Sequence, residues 1–115
     1  MAEQGGYIFY ARMSVDAEHE ELFNEVYDTQ HVPELLKVPG VRSVTRYKVD
    51  STIYTTKLED QPVYIAAYEI DSPDVVASDA WNVATEIGRW AEQVRPYTSN
   101  RSHVIYKKVA GPERA

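Results

Sequence analysis

A chain of 115 residues, 43% hydrophobic and 26% charged with a formal net charge of −6, has the size and balance of one globular domain. Its acidity opposes attraction to nucleic-acid phosphates, and no apolar run reaches the roughly 20 residues that span a bilayer, so neither nucleic acid nor membrane is an expected partner. With no cysteine, disulfide frameworks and thiolate catalysis are excluded; the opening MAEQGG lacks the basic and apolar regions of a secretory leader, which points to the cytoplasm.

The whole chain, 1–115, is expected to form a single domain with an ordered core over about 6–109. YIFYARMSV (7–15) is aromatic and apolar without breakers, which predicts a strand. Asp16 then offers a helix cap, Glu18, Glu20 and Glu21 put negative charge in the first turn, and Leu22, Phe23, Val26 and Tyr27 repeat at helical spacing. Pro33 cannot donate a backbone hydrogen bond and disfavours helix at Val32, so this helix is expected to break near Gln30 to Val32, with ELLKV adding a short turn. VRSVTRYKV (41–49) returns as a second strand, the polar DSTIYTTKLEDQP is read as a connection able to extend a hairpin, and VYIAAYEI (63–70) is the third strand. Ser72-Pro73-Asp74 opens a second helix in which Val83, Ile87, Trp90 and Val94 fall on one face, ended by Arg95-Pro96. HVIYKKV (103–109) is the fourth strand, and the tail AGPERA is expected to fray.

The order of elements is that of a ferredoxin-like α+β fold: βαββαβ, a four-stranded antiparallel sheet with both helices on one face. The first and third strands are apolar at nearly every position, the pattern of a sheet buried on both sides. A monomer of this size has nothing left to cover the second face, which predicts a homodimer in which two sheets pack into an α/β barrel.

YDTQHVPELLKVPGV (27–41), with its Tyr, Asp, His-Val-Pro and Val-Pro-Gly elements, and GRWAEQVRPYTSNR (88–101) resemble the EthD-like branch of the dimeric α/β-barrel superfamily. The resemblance, which with the element order covers most of the chain, implies a dimeric barrel and a histidine at the position of His31 near a cavity between sheet and helices. It leaves the reaction open, since relatives in the wider superfamily include lactone isomerases, polyketide cyclases, cofactor-free monooxygenases and heme-handling enzymes.

His31 leads the catalytic candidates, because an imidazole exchanges protons near neutrality and helix ends bordering a cavity present such groups. If the helix persists, Tyr27 and Asn24, four and seven residues earlier, share its face; Tyr27 would join the chemistry and Asn24 would orient a substrate carbonyl or phenol. Tyr10, Tyr64, Tyr68 and Trp90 are candidates for the walls of a ring-accepting pocket; nine tyrosines against two phenylalanines make much of the aromatic surface hydroxyl-bearing. Arg42, Arg46 and Lys48 make one face of the second strand basic, and Arg42 is a candidate for holding a substrate carboxylate or enolate; ion pairing at a dimer interface is the expected role for most arginines. No metal and no cofactor is expected. His19, His31 and His103 lack ligand spacing, nothing near His103 supports heme ligation, Gly40, Gly88 and Gly111 stand alone, and no serine lies in a nucleophile elbow.

These readings converge on a small cofactor-independent enzyme performing acid/base chemistry (isomerisation, cyclisation, dehydration or decarboxylation) on an apolar cyclic or aromatic metabolite. The alternatives are a cofactor-free monooxygenase of aromatic substrates and a non-catalytic small-molecule-binding or stress-response barrel.

Overall fold

The computed structural model describes residues 6–112, so the readings of residues 1–5 and of the last three residues of the tail lie outside the described residues. Four strands, β1 (Tyr7–Val15), β2 (Val41–Lys48), β3 (Val63–Ile70) and β4 (Thr98–Lys107), form one antiparallel sheet in the order β2-β3-β1-β4. This is the expected α+β, ferredoxin-like arrangement. Alternation along the strands fixes the two faces. In β1, Phe9, Ala11 and Met13 turn toward the helices opposite Tyr68, Ala66 and Tyr64 of β3, and all six are buried. Ile8, Tyr10 and Arg12 turn to the other face, where they are only half-buried.

The helical layer begins with a 3-10 turn (Ala17–His19) and α1 (Glu20–Val26), and ends its first half in α2 (Val32–Leu36). Asp16 makes no side-chain cap; its backbone carbonyl accepts the His19 N–H instead. The expected break before Pro33 is absent. Residues Tyr27–His31 form a widened π turn, His31 and Val32 keep helical dihedrals (φ −67, ψ −53 and φ −60, ψ −48), and the Val32 N–H donates to the Tyr27 carbonyl five residues back. Local widening is one way a helix runs past a residue that cannot donate. The core closes over fully buried Phe23, Leu35 and Ile70, each worth about 1.5–3 kcal/mol relative to exposure.

The second helical region is less regular than its apolar spacing predicts. A 3-10 turn (Pro73–Ala77) follows Ser72, which gives no side-chain cap; the capping residue is Ser78, whose hydroxyl accepts the Trp81 N–H at 3.2 Å and opens α3 (Asp79–Ala84). The chain then turns through Gly88 at φ +80 before a second π turn (Trp90–Val94) and a 3-10 turn (Arg95–Tyr97). Trp90 and Val94 are therefore buried while Val83 and Ile87 are exposed, against the expectation of one continuous stripe. The interruption has a visible cause: the Gln30 side-chain oxygen accepts the Arg89 N–H at 2.8 Å, and a Cβ on residue 88 would lie 2.5 Å from that oxygen. Only glycine takes this conformation without strain.

Two boundaries shift. β4 starts at Thr98, five residues before His103, because the polar TSNRS segment pairs with the end of β1 as an exposed edge. Residues 50–62 contain no strand; instead of extending the hairpin they are tied to β1 by Val15 N–H to the Pro62 carbonyl and by Arg12 and Ser14 to Glu59, and to the turn after it by Ala17 N–H to Gln61. Nor does the basic face of β2 wait for a dimer: Arg42 pairs with Asp71 and Arg46 with Asp28, both at 2.6 Å, and Lys48 with Glu20 at 2.7 Å.

Candidate functional site

Between β1, the two π turns and the start of β4 lies a cavity of about 270 Å³. Phe9 and Met13 form its floor, Tyr27, His31 and Leu35 one wall, and Trp81 and Trp90 another, with Arg95, Arg101 and His103 also lining it. His31 is 5% exposed, and its ring stacks on Trp90 with centroids 4.4 Å apart and meets Tyr27 edge-on at 4.9 Å. Its Nδ1 is buried without a hydrogen-bond partner among the described residues. Burial, reinforced by the Arg95 charge, pushes the imidazole down to about 4, so it is neutral near pH 7.

The Tyr27 and Tyr68 hydroxyls sit 2.8 Å apart. Burial holds both phenols protonated, Tyr27 up to about 12 and Tyr68 well above its ordinary value of 10. One hydroxyl donates to the other, and the pair retains one O–H free to donate elsewhere. Neutral imidazole and spare phenol are a proton acceptor and a proton-sharing donor on one apolar wall.

Of the sequence candidates, His31, Tyr27, Tyr68 and Trp90 are brought together at the cavity. The others are not. Asn24 lies in a separate polar cluster, donating to the Tyr64 hydroxyl at 3.0 Å while its amide oxygen accepts from Arg46 at 2.9 Å. Tyr64 donates to Glu20 at 2.5 Å in the same cluster, and Arg46 spreads over the rings of Phe23, Tyr27 and Tyr64 at 4.5–5.3 Å. Asn24 follows the helix, but it precedes the widened turn and points along α1 toward β2. Tyr10 is on the opposite sheet face, edge-on to Tyr106 at 5.3 Å, and Arg42 is at the sheet end with Asp71. Lining residues that the sequence left unmarked include Phe9, Met13, Leu35 and Trp81, and at the β4 side Arg95 and Arg101. For Phe9 and Met13 the signal was the two-residue alternation of β1; Trp81 stands three residues after a serine cap.

Among the described residues no group of three or more His, Asp or Glu is placed to hold a metal ion, and no helix is long and apolar enough to cross a membrane. The fold and the position of the cavity define a ferredoxin-like α+β protein with a cavity between sheet and helices. In overall fold the chain is similar to a crystal structure of an ethyl tert-butyl ether D (EthD) family protein from Bacillus halodurans C-125, with 13% sequence identity, a TM-score of 0.61, and coverage of 90% of this chain and 99% of that one. No protein-family model and no curated protein matches the sequence.

Proposed function

We propose that the chain is a small enzyme that moves protons on an apolar cyclic or aromatic metabolite, with His31 as the acid/base group and Tyr27 and Tyr68 as its partners. The supporting observation is the buried His31 imidazole, its Nδ1 unpartnered, lining a cavity beside a hydroxyl pair that has one donor to spare. Neutral His31 accepts a proton from carbon next to a carbonyl. The negative charge then appears on the carbonyl oxygen, where a phenol O–H stabilises it. That charge also raises the affinity of the adjacent imidazole for the proton it has taken, so a group that titrates low in the empty site becomes a better base once the reaction begins. Return of the proton to a different carbon isomerises the substrate.

The second sheet face completes the reading. Ile8, Tyr10, Ile65, Ala67, Val104 and Tyr106 occupy it, and Tyr106 is 53% exposed. A second copy of the same face is its proposed cover, since the patch is largely apolar and a twofold dimer pairs one patch with itself. Sedimentation at micromolar concentration is expected to give the dimer mass, and Tyr10→Glu to shift it to the monomer.

The catalytic assignment is tested by solvent-deuterium exchange into the α-carbons of a panel of cyclic ketones and keto-phenols, followed by NMR. Exchange above background is expected with the native chain and at least about 100-fold less with His31→Gln. Equal exchange by a folded His31→Gln protein overturns the assignment.

A further inference from the structure

Six arginines lie among the described residues, and five of them are each held by a carboxylate: Arg12 by Glu59, Arg42 by Asp71, Arg46 by Asp28, Arg89 by Glu25 and Arg95 by Glu86. Arg101 has no hydrogen-bond or ion-pair partner among the described residues, although the chain carries 18 acidic against 12 basic residues. Its position is specific. His103 stands opposite buried Ala11, and Arg101 follows the irregularity at Asn100, where φ is +51 and the β1–β4 register shifts; both side chains line the cavity. Arg95, the other cation there, is already committed to Glu86 and to the Thr85 carbonyl at 3.2 Å.

We infer that the ligand of this cavity is an organic acid, a planar carboxylate on an apolar ring, whose anion is received by Arg101 at the exposed rim while the ring enters between Trp90 and Phe9. A guanidinium takes a carboxylate through two parallel N–H donors, a match that an amide or alcohol lacks. The interior selects the other end: Phe9, Met13, Leu35 and Trp81 offer no charge, so the charged group stays at the rim and the apolar end travels inward toward His31. This places the acid group away from the reacting carbon and gives the site a fixed direction of entry. The inference rests on the cavity being the substrate site, and it names the substrate class for it.

Calorimetric titration of the full chain near neutral pH with 2-naphthoate and with the neutral isostere 2-naphthamide tests it. The acid is expected to bind about tenfold more tightly than the amide. Arg101→Gln, a substitution at an exposed position, is expected to reduce that ratio to less than about twofold while leaving amide affinity and melting temperature unchanged, and Arg101→Lys to restore part of it. Equal affinities in the native chain, or a preference that survives Arg101→Gln, overturn the inference, as does an Arg101→Gln protein that loses its dimer but keeps its preference. Binding of neither compound overturns both this inference and the cavity reading. Acid preference without proton exchange on any acid keeps the ligand class and removes the catalytic assignment.

Discussion

Tyr27 has a polar cluster on either side, and the two are built in opposite ways. Toward β2, Glu20, Asn24, Asp28, Arg46, Lys48 and Tyr64 satisfy one another. Arg46 alone reaches Asp28, Asn24 and three aromatic rings, and Glu20, held by Lys48 and then by Tyr64, is kept below the usual carboxylate range. Toward β4, buried His31 has a nitrogen and Arg101 a charge that find no partner among the described residues, and the Tyr27–Tyr68 pair has a donor left over. A satisfied network holds a structure in one arrangement, whereas an unsatisfied buried group carries a desolvation cost of about 1–3 kcal/mol that a ligand or a water molecule relieves. One helix thus presents a satisfied network on one side and the unsatisfied groups of the proposed reaction on the other, and on that proposal substitutions on the two sides should separate stability from activity.

The largest separation is expected at His31. His31→Leu should abolish proton exchange and yet raise stability near pH 7 by about 1 kcal/mol, because it removes an unsatisfied polar group from an apolar wall. A loss of stability as large as that of an ordinary core truncation would show that Nδ1 is satisfied in solution. The pH dependence follows from the same group. Its folded value of about 4 lies below the ordinary 6.5, so the unfolded chain takes up the proton first. Stability is therefore full above about 6.5 and falls as pH drops toward about 4, by about 3 kcal/mol in total. Denaturant titrations across that window should show the fall in the native chain and a much flatter profile in His31→Leu.

On the satisfied side, Arg46→Ala uncovers three rings and takes the donor from the Asn24 amide oxygen, while Asp28, 60% exposed, turns to water. A loss of about 1–3 kcal/mol is expected in denaturant unfolding, with exchange per folded molecule within about tenfold of the native rate. Collapse of activity at unchanged stability would place Arg46 in the reaction instead. Tyr68→Phe bridges the two regions: about 1 kcal/mol of stability and about tenfold in exchange rate, since Tyr27 keeps its own hydroxyl. The smallest effect belongs to Lys48→Ala at the solvent-exposed end, which should leave the melting temperature and the exchange rate unchanged; a shift in either would mean that the cluster transmits to the cavity.

The parts of this arrangement that were legible in the sequence are those fixed by periodicity. β1 and β3 read as strands because apolar residues run through them, and the element order followed from the helices between them. The polar half of β4 was not legible: TSNRS has the composition of a loop, and only pairing with β1 makes it a strand, yet Arg101 lies there. His31 was visible through Pro33, but for an incomplete reason, since the proline is accommodated by a widened turn and the chain does not break. The same turn explains why Tyr27 and His31 share the cavity with residues of the second helical region while Asn24 does not. Val83 and Ile87 misled in the opposite sense. Their spacing with Trp90 was genuine, but the helix is interrupted between them where the Arg89 N–H donates to Gln30, 59 residues earlier; no local pattern announces a contact at that separation.

The widened turn at Tyr27–His31 also has a meaning in units of chain length. Each residue of a regular helix advances about 100° around its axis, so one residue more or fewer rotates everything downstream by that angle. Phe23 before the turn and Leu35 after it both face the sheet only because the turn holds its present count. Deleting any one of Asp28, Thr29 or Gln30 would have to carry His31 or Leu35 off that face, and with a second widened turn at Trp90–Val94 supplying the ring stacked on His31, the site rests on two helices being in phase. In a lineage of such chains, gains and losses of single residues should accumulate in the 50–62 connection and be purged from both turns.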